Sequence, residues 1–334
     1  MNLVNVHRGN IVESAHQGHI AVVDANGKLL YALGDPDAVV FARSSMKPIQ
    51  AIPVVETGAA DHYQFSDHDL ALCCASHSSE SIHTDRVLDI LKRMGIEKEA
   101  LQCGTHIPRS QETYQKLIVA GEELTPLYNN CSGKHTGMLA TAKHMNEDLA
   151  SYYLLTHPLQ QRILETVSEM CDYLKEQIEI GIDGCGVPVH GLPLKNIAFG
   201  YAKMADTTKL SEKRAKMVTR ITNAMMNAPE MVAGTNRFCT DFMRIGNGRF
   251  FGKVGAEGVY CLGDKETGLG IAVKIKDGNE RAVYPATIHV LRELGLLSAE
   301  QLQALSDYRK PPLKNARGEK IGELVADFKL NKVV

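Results

Sequence analysis

The chain has 334 residues, of which 44% are hydrophobic and 23% are charged, a composition typical of a soluble globular protein with a large core. Its 37 basic and 39 acidic residues leave a net charge of −2, which gives no electrostatic reason to expect a nucleic-acid partner. No apolar run is long enough to span a membrane, and "MNLVNVHRGNIVES" lacks the pattern of a signal peptide, so we expect a cytoplasmic protein.

The cysteines are scattered along the chain and form no compact disulfide framework. In a reducing compartment we expect each of them to be a free thiol, a buried core residue or a ligand. The eight positions are Cys73, Cys74, Cys103, Cys131, Cys171, Cys185, Cys239 and Cys261.

The first third of the chain opens with strands. "HIAVVD" and "KLLYALG" flank Ala25-Asn26-Gly27, which predicts a hairpin because Asn and Gly tolerate positive φ. The apolar stretch 39–42 leads to Ser44. After it, "KPIQAIPVVETGA" predicts a single buried helix with a proline in its first turn.

The middle of the chain has the apolar spacing of amphipathic helices. "TDRVLDILKRMGI" predicts a helix that is capped by Thr84 and stopped at Gly95. In "HPLQQRILETVSEMCDYL" the apolar stripe includes Cys171, which we assign to the core. "SEKRAKMVTRITNAMM" predicts a further helix that starts at a Ser211 cap.

Strands return near the end, in "RFFGKVG", "GVYCLGD" and "GLGIAVKIKDG", and the helix "TIHVLRELGLL" follows with a structural His289. Strands at both ends with helices between them predict an α/β fold, with an antiparallel sheet drawn from both termini and helices on both faces. We expect one domain over 1–334, with a helical subregion around 84–235.

Ser44 and Lys47 lie three positions apart in "FARSSMKP". At the start of a helix, residues i and i+3 share a face, so the lysine amine could reach the serine hydroxyl. Burial or a second nearby cation favours the free amine that a base requires, and Arg43 supplies such a cation. The alternative is that Ser44 or Ser45 only caps a helix.

Two further segments carry the residue types of a hydrolytic site. Ser76 lies in the hydroxyl-rich "CCASHSSES", which follows an apolar segment and is also typical of a helix cap. Lys253 lies among glycines in "GKVGAEGVY", with the K-x-G shape that serine penicillin-recognising enzymes combine with S-x-x-K. The order S-x-x-K, serine segment, K-x-G is also the order of those enzymes.

Two patches have the donors of a metal site. "NNCSGKHTGML" holds Cys131, Lys134 and His135, and "GIDGCGVPVHG" holds Asp183 and Cys185. Two thiolates with nitrogen or oxygen donors suit zinc. The alternative is a pair of buried thiols, because the spacing of the cysteines is not that of a C-x-x-C site.

Taken together, these segments resemble the asparaginase II family of the Rhizobium-inducible type. The matching pieces are "VHRGNIVES", "ARSSMKP", "LCCASHSSES", "CGTHIPR", "NNCSGKHTGML", "DGCGVPVHGLPL" and "GKVGAEGVY". The resemblance implies hydrolysis of L-asparagine to aspartate and ammonia, a fold like that of serine β-lactamases and glutaminases, and a homodimer. This chain departs from the family pattern at Ser79, where the pattern has glycine.

The resemblance also implies roles for individual residues. It implies two Ser–Lys pairs, Ser44 with Lys47 and Ser76 with Lys253. The implied zinc ligands are Cys131, Lys134 and Cys185. Residues that would orient the substrate or the ligands are Arg43, His135 and Asp183.

Two other classes of function stay open on the sequence. One is another serine amidohydrolase, such as a glutaminase or a β-lactam-recognising enzyme. The other is a protein that binds an amino acid or a metal without turnover, in which the same clusters would be ligand sites.

Overall fold

The computed structural model describes residues 2–333. The strands are β1 (Asn2–Arg8), β2 (Ile11–Val23), β3 (Leu29–Leu33), β4 (Val39–Phe41), β5 (Glu179–Ile182), β6 (Pro188–Pro193), β7 (Phe250–Gly255), β8 (Val259–Asp264), β9 (Leu269–Ile275), β10 (Pro312–Lys314), β11 (Lys320–Ala326) and β12 (Asn331–Lys332). The 3-10 helices are Arg43–Met46, Lys98–Ala100, Pro126–Tyr128, Lys175–Gln177 and Thr207–Lys209.

The α-helices vary from single turns to four turns. They are α1 (Lys47–Gln50), α2 (Ile52–Glu56), α3 (Ala59–His62), α4 (Asp67–Cys73), α5 (Ser81–Met94), α6 (Gln111–Ala120), α7 (Ser132–His144), α8 (Pro158–Cys171), α9 (Leu194–Ala205), α10 (Glu212–Asn227), α11 (Pro229–Val232), α12 (Phe238–Gly246), α13 (Glu280–Glu293), α14 (Ala299–Ala304) and α15 (Ser306–Arg309). Within residues 2–333, none of them is long and apolar enough to cross a membrane.

The described residues form two compact units. The first comprises residues 2–45, 192–209 and 245–333, and the second comprises residues 46–191 and 210–244. The first unit holds most of the strands, and the second is mainly helical. That the whole chain is one domain stays a prediction.

The first unit is built on a nine-stranded sheet. Its strand order is β10-β11-β1-β2-β9-β8-β7, and β3 pairs with both β2 and β12. The N-terminal strands lie beside C-terminal ones, because β1 pairs with β11 and β2 pairs with β9, both antiparallel. The helices α9 and α13 pack against this sheet. The predicted fold class, an α/β fold with an antiparallel sheet from both termini and packed helices, is confirmed.

The hairpin predicted at Ala25-Asn26-Gly27 is confirmed. β2 and β3 pair antiparallel, and Gly27 has a φ of +83°, which a residue with a Cβ rarely adopts. Asp24 holds the turn, because its side chain accepts hydrogen bonds from the backbone N–H groups of Asn26 and Lys28, each at 2.9 Å. The aspartate therefore supplies an acceptor for backbone N–H groups that a tight turn leaves unsatisfied.

Helix boundaries in the second unit differ from the sequence predictions in two places. The predicted single helix after Ser44 is two short helices, α1 and α2, which meet at Ala51 just before Pro53. A second proline cannot continue the hydrogen-bond ladder of the first helix. Helix α5 starts at Ser81 with Glu80 as its N-cap, so the predicted cap at Thr84 is wrong, while Gly95 ends the helix as predicted.

The centre of the second unit is the contact between α4 and α7. Residues 132–142 of α7 are all buried, so this helix has no solvent-facing stripe. Gly133 lies against the backbone and side chain of Leu72, and Gly137 lies against the Sγ of Cys73. These two glycines, four residues apart on one helix face, let α7 approach α4 more closely than any other residue would allow.

Replacing Gly133 by alanine is expected to lower the free energy of unfolding by about 1–3 kcal/mol, the usual cost of overpacking a dense interior. A Cβ there would overlap the carbonyl oxygen of Leu72, which outweighs the gain of about 1 kcal/mol that alanine brings to a helix. Urea unfolding measures the change. Gly184→Ala is the control, since its Cβ would meet nothing within 4 Å. Equal stability of Gly133→Ala and wild type would contradict this close packing.

Candidate active site

Lys47 is the buried cation around which the second unit arranges its polar groups. Its side chain is 1% exposed, and its Nζ donates to the carbonyl oxygen of Ala75 at 2.5 Å and to the Oγ of Ser76 at 3.0 Å. The Sγ of Cys131 lies 3.2 Å away as a third acceptor. Three N–H bonds of an ammonium therefore match three acceptors, the condition under which a buried charge is tolerated.

The acceptors of Lys47 come from the two helices that the glycines bring together. Ser76 follows the end of α4, and its backbone N–H donates to the carbonyl oxygen of Val232 at 2.9 Å. Cys131 is the residue that precedes α7. The close approach of α4 and α7 is thus what places a serine hydroxyl and a thiol on the same lysine.

In the first unit, Ser44 follows a sharp turn at the end of β4. Arg43 adopts a φ of +52°, a strained value for a residue with a Cβ. The hydroxyl of Ser45 is buried and donates to the carbonyl oxygen of Ala42 at 2.6 Å, so it is committed to the turn. Of the two adjacent serines, Ser45 is therefore engaged by the turn, and Ser44 is half-buried.

Lys253 is fully buried on β7, where its Nζ donates to the carbonyl oxygen of Val254 at 2.7 Å. Two residues later, a Cβ at Gly255 would lie 2.5 Å from the carbonyl oxygen of Ala42 and 3.2 Å from the backbone nitrogen of Ser45. The glycine of the K-x-G segment therefore lets β7 pack against the backbone on both sides of Ser44.

The Ser–Lys pairing implied by the resemblance, Ser44 with Lys47 and Ser76 with Lys253, stays a prediction. The bond that the second unit contains joins Lys47 to Ser76, residues that lie 29 positions apart. This hydrogen bond makes Ser76 a partner of the first lysine.

The predicted metal ligands Cys131 and Cys185 lie close together, with Asp183. One ligand atom from each of the three lies within 4.8 Å of the others. Lys134 joins this cluster, because its Nζ is 3.0 Å from the Sγ of Cys185. The cluster of Cys131, Lys134, Asp183 and Cys185 is hereafter called the thiol cluster. Two thiols, a carboxylate and an amine are a chemically suitable donor set for zinc.

One thiol of the cluster ionises readily. The hydrogen bond with Cys131 and the Lys134 cation lower the pKa of Cys185 to about 5, against the opposing effect of burial. Burial alone would lower the pKa of Lys134, but Cys185, Cys131 and Asp183 raise it above its ordinary value. The thiol cluster therefore favours a thiolate beside an ammonium, a buried pair that compensates its own charge.

Two buried histidines lie near the thiol cluster with an open ring nitrogen. The hydroxyl of Tyr152 accepts from the backbone N–H of Gln102 at 2.9 Å and lies 2.6 Å from the Nδ1 of His135. Donation of the hydroxyl proton to Nδ1 would leave the proton of the neutral ring on Nε2. The side-chain amide nitrogen of Gln50 lies 3.4 Å from the Nδ1 of His190. Because an amide nitrogen donates, this Nδ1 accepts, and the proton of the neutral His190 ring is on its Nε2.

Within residues 2–333, neither Nε2 atom has a hydrogen-bond partner, and both are buried. Burial, followed by the Lys134 cation, lowers the pKa of His135 to about 3 and that of His190 to about 4. Two neutral rings, each with an unpartnered Nε2, beside a charged cluster are suited to a bound ligand with polar atoms.

Several of these contacts could not be assigned from the sequence. No sequence pattern indicates the contacts of Tyr152 and Gln50, because their partners lie far away along the chain. His190 was visible only as a histidine in a glycine-rich loop. His77 is visible in the sequence only as the histidine of the hydroxyl-rich turn "CCASHSSES".

The family model described as L-asparaginase II matches residues 4–326. The chain belongs to the L-asparaginase II family. Membership supports a serine amidohydrolase that acts on a small-molecule substrate, and the predicted family is confirmed. A search among curated proteins found no match.

Solved structures with a similar course of the chain include β-lactamases and a carboxypeptidase. A β-lactamase from Mycobacterium bovis matches at 12% identity and a TM-score of 0.44, over 83% of this chain and 94% of that one. A D-alanine carboxypeptidase from Burkholderia cenocepacia matches at 15% identity and a TM-score of 0.38, over 81% and 93%. A class C β-lactamase from Rhodobacter sphaeroides matches at 12% and 0.39, over 82% and 95%.

The buried His190 should make the protein less stable in acid. Its pKa of about 4 lies below the value of about 6.5 expected in the unfolded chain. Its stabilising contribution is therefore complete above pH 6.5 and is lost as the pH falls from 6.5 to 4, because the unfolded state binds the proton first.

We expect His190→Gln to flatten the decline of the free energy of unfolding by up to about 1.4 kcal/mol per pH unit in this window. Urea unfolding at pH 7, 6 and 5 measures the slope. Thr141→Ala, which removes a buried hydroxyl but no titratable group, is the control and should leave the slope unchanged. An equally steep decline in the His190 variant would refute the assignment.

Proposed function

We propose that this protein hydrolyses L-asparagine to L-aspartate and ammonia through a serine acyl-enzyme. Membership of the L-asparaginase II family supports the substrate class. The observation that carries the chemistry is the buried Lys47, whose Nζ lies 3.0 Å from the hydroxyl of Ser76. A lysine in a dry site in contact with a serine is suited to moving protons during acyl transfer.

The proposed reaction begins at Ser44, the serine whose neighbour Ser45 is committed to the turn. The Oγ of Ser44 attacks the side-chain amide carbon once Lys47 has given up one proton of its ammonium form, and the proton of Ser44 passes to the free amine so formed. The C–N bond then breaks, and the proton leaves with ammonia. Water releases aspartate from the acyl-enzyme by the reverse proton path, with Ser76 and Lys253 as relay groups.

The negative charge on the attacked oxygen requires backbone donors. The N–H of Ser45 is not available, because it already donates to the carbonyl oxygen of Ala42 at 3.1 Å. We assign this role to the N–H of Ser44, at the start of the 3-10 helix Arg43–Met46.

We further propose that the thiol cluster holds a zinc ion. Cys131 and Cys185 would be its sulfur ligands, and Lys134 and Asp183 its further donors, in agreement with their mutual distances. Lys134 must lose its proton to bind, so loading of the metal would release protons. When bound, the ion would anchor or polarise the substrate amide. His135 and Arg43 are proposed to orient the substrate, and a cytoplasmic homodimer stays our expectation.

Loss of the nucleophile should abolish turnover. We expect Ser44→Ala to reduce kcat/KM for L-asparagine by at least about a thousandfold, since removal of an acylated serine usually costs more than that. Ammonia release measures the rate, with L-glutamine assayed in parallel. Ser45→Ala is the matched control, because it removes a neighbouring hydroxyl that serves the turn, and it should retain activity within about tenfold.

Wild-type-like turnover by Ser44→Ala would remove Ser44 as the nucleophile. Turnover of glutamine in preference to asparagine would move the assignment to a glutaminase. Binding of asparagine without ammonia release, even with zinc supplied, would favour the non-catalytic alternative.

The metal proposal is tested by removing single thiols. We expect Cys131→Ala and Cys185→Ala to weaken zinc binding at least about tenfold, because each removes one sulfur ligand. Competition with a chromogenic chelator measures the affinity. Cys171→Ala is the control, since Cys171 is buried in α8 outside the cluster. Equal zinc affinity in all three variants would place the metal elsewhere.

A further inference from the structure

The turn that follows Ser76 contains a strained residue. Ser79 has a φ of +64°, in the left-handed region that glycine adopts freely and other residues adopt at a cost. This is the position at which the family pattern predicts glycine. A serine persists there only if the surroundings hold it.

Two hydrogen bonds hold Ser79 in this conformation. Its backbone N–H donates to the Nδ1 of His77 at 3.1 Å, and its hydroxyl donates to the carbonyl oxygen of Tyr128 at 2.6 Å. His77 is therefore the hydrogen-bond acceptor at the centre of the turn.

The second nitrogen of His77 reaches across to α7. Because Nδ1 accepts from Ser79, the proton of a neutral ring lies on Nε2, which is 2.9 Å from the Oγ of Ser132. That hydroxyl donates its own proton to the carbonyl oxygen of Leu127 at 3.0 Å. The backbone N–H of His77 adds a parallel link to the carbonyl oxygen of Asn130 at 3.2 Å.

His77 is fitted to this role in its neutral form. It is fully buried and stacks on His83, with ring centroids 5.0 Å apart and planes 12° apart. The Nε2 of His83 lies 2.9 Å from the carbonyl oxygen of Glu230, so its proton points away from His77. Burial, His83 and the Lys47 cation hold the pKa of His77 well below its ordinary value.

The two segments that His77 joins are the two that provide side-chain acceptors for Lys47. The turn carries Ser76, and the entry of α7 carries Cys131, and Lys47 donates to both side chains. We propose that His77 is a positioning residue that clamps the Ser76 turn to the start of α7 and so sets the separation of Ser76 and Cys131 across Lys47. As far as catalysis is concerned, this inference rests on the proposed function.

The clamp is tested with a double-mutant cycle between His77 and Ser132. His77→Asn keeps an acceptor for Ser79 but cannot reach Ser132. We expect it to lower kcat for L-asparagine about tenfold or more, with KM changed less than about threefold, and to weaken zinc binding about tenfold, as loss of supporting residues usually does. Ser132→Ala should lower kcat similarly, and adding it to His77→Asn should change kcat less than twofold further.

Two controls separate positioning from general stability. Thr141→Ala removes another buried hydroxyl of α7, one that bonds within the helix to the carbonyl oxygen of Gly137, and it should leave kcat and zinc affinity unchanged. Ser79→Gly should also retain wild-type kcat, because glycine needs no support at this φ, whereas Ser79→Ala should lose activity. If His77→Asn does not fold, the Ser132→Ala and Ser79 variants decide the question.

A readout independent of turnover comes from ¹⁵N-histidine NMR of the wild-type protein, with the His77 signals assigned by their absence in His77→Asn. We expect an Nε2-protonated ring that does not titrate between pH 5 and 8. An Nδ1-protonated or titrating His77, full additivity in the cycle, or unchanged zinc affinity and kcat in a folded His77→Asn would overturn the clamp. If the wild type releases no ammonia but the NMR result stands, the proposed function fails and the clamp does not.

Discussion

A buried ammonium group is stable only where each of its N–H bonds meets an acceptor, and Lys47 meets this demand with one carbonyl, one hydroxyl and one thiol. Those acceptors belong to segments far apart in sequence that meet only because α7 lies directly against α4. The contact depends in turn on Gly133 and Gly137, which carry no side chain where the helices touch. Gly133 and Gly137 thus determine which acceptors surround Lys47, and those acceptors determine how readily Lys47 gains or loses a proton.

The two cysteines connect this lysine to the second buried cation. Cys131 lies 3.2 Å from the Nζ of Lys47, while Cys185 lies 3.0 Å from the Nζ of Lys134. The cysteines also interact with each other, and their hydrogen bond raises the pKa of Cys131 and lowers the pKa of Cys185. A change of charge on the thiol pair, whether by proton loss or by metal binding, therefore changes the electrostatic potential at Lys47. Lys47 and the thiol cluster are therefore coupled by a direct contact, which is made by Cys131.

The parts of this arrangement that are local in sequence could be predicted, and the parts that depend on packing could not. The hairpin at Ala25-Asn26-Gly27 and the end of α5 at Gly95 follow from backbone preferences of single residues. The break between α1 and α2 is not visible in the apolar pattern, because the segment has the composition of one buried helix while Pro53 interrupts its hydrogen-bond ladder. Helix α7 is buried on every side, so it has no apolar periodicity from which its neighbours could be inferred. The meeting of Cys131 with Cys185 was expected from resemblance alone, and the contact of Lys47 with Ser76 was not expected, because both depend on how distant helices pack.

Two of the residues that have a Cβ and a positive φ lie close to the two serines of the proposed reaction. Arg43, with a φ of +52°, directly precedes Ser44, and Ser79, with a φ of +64°, lies three residues after Ser76. Each such residue costs about 1–3 kcal/mol and persists only when the surrounding structure holds it. His77 holds the turn at Ser79 from within the helical unit. Gly255 supports the turn at Ser44 in a similar way, because it lets β7 pack against the backbone at Ala42. The turn at Ser44 therefore requires Gly255, the glycine of the K-x-G segment. Because Lys253 lies two residues earlier on β7, its position along the strand is fixed relative to Ser44.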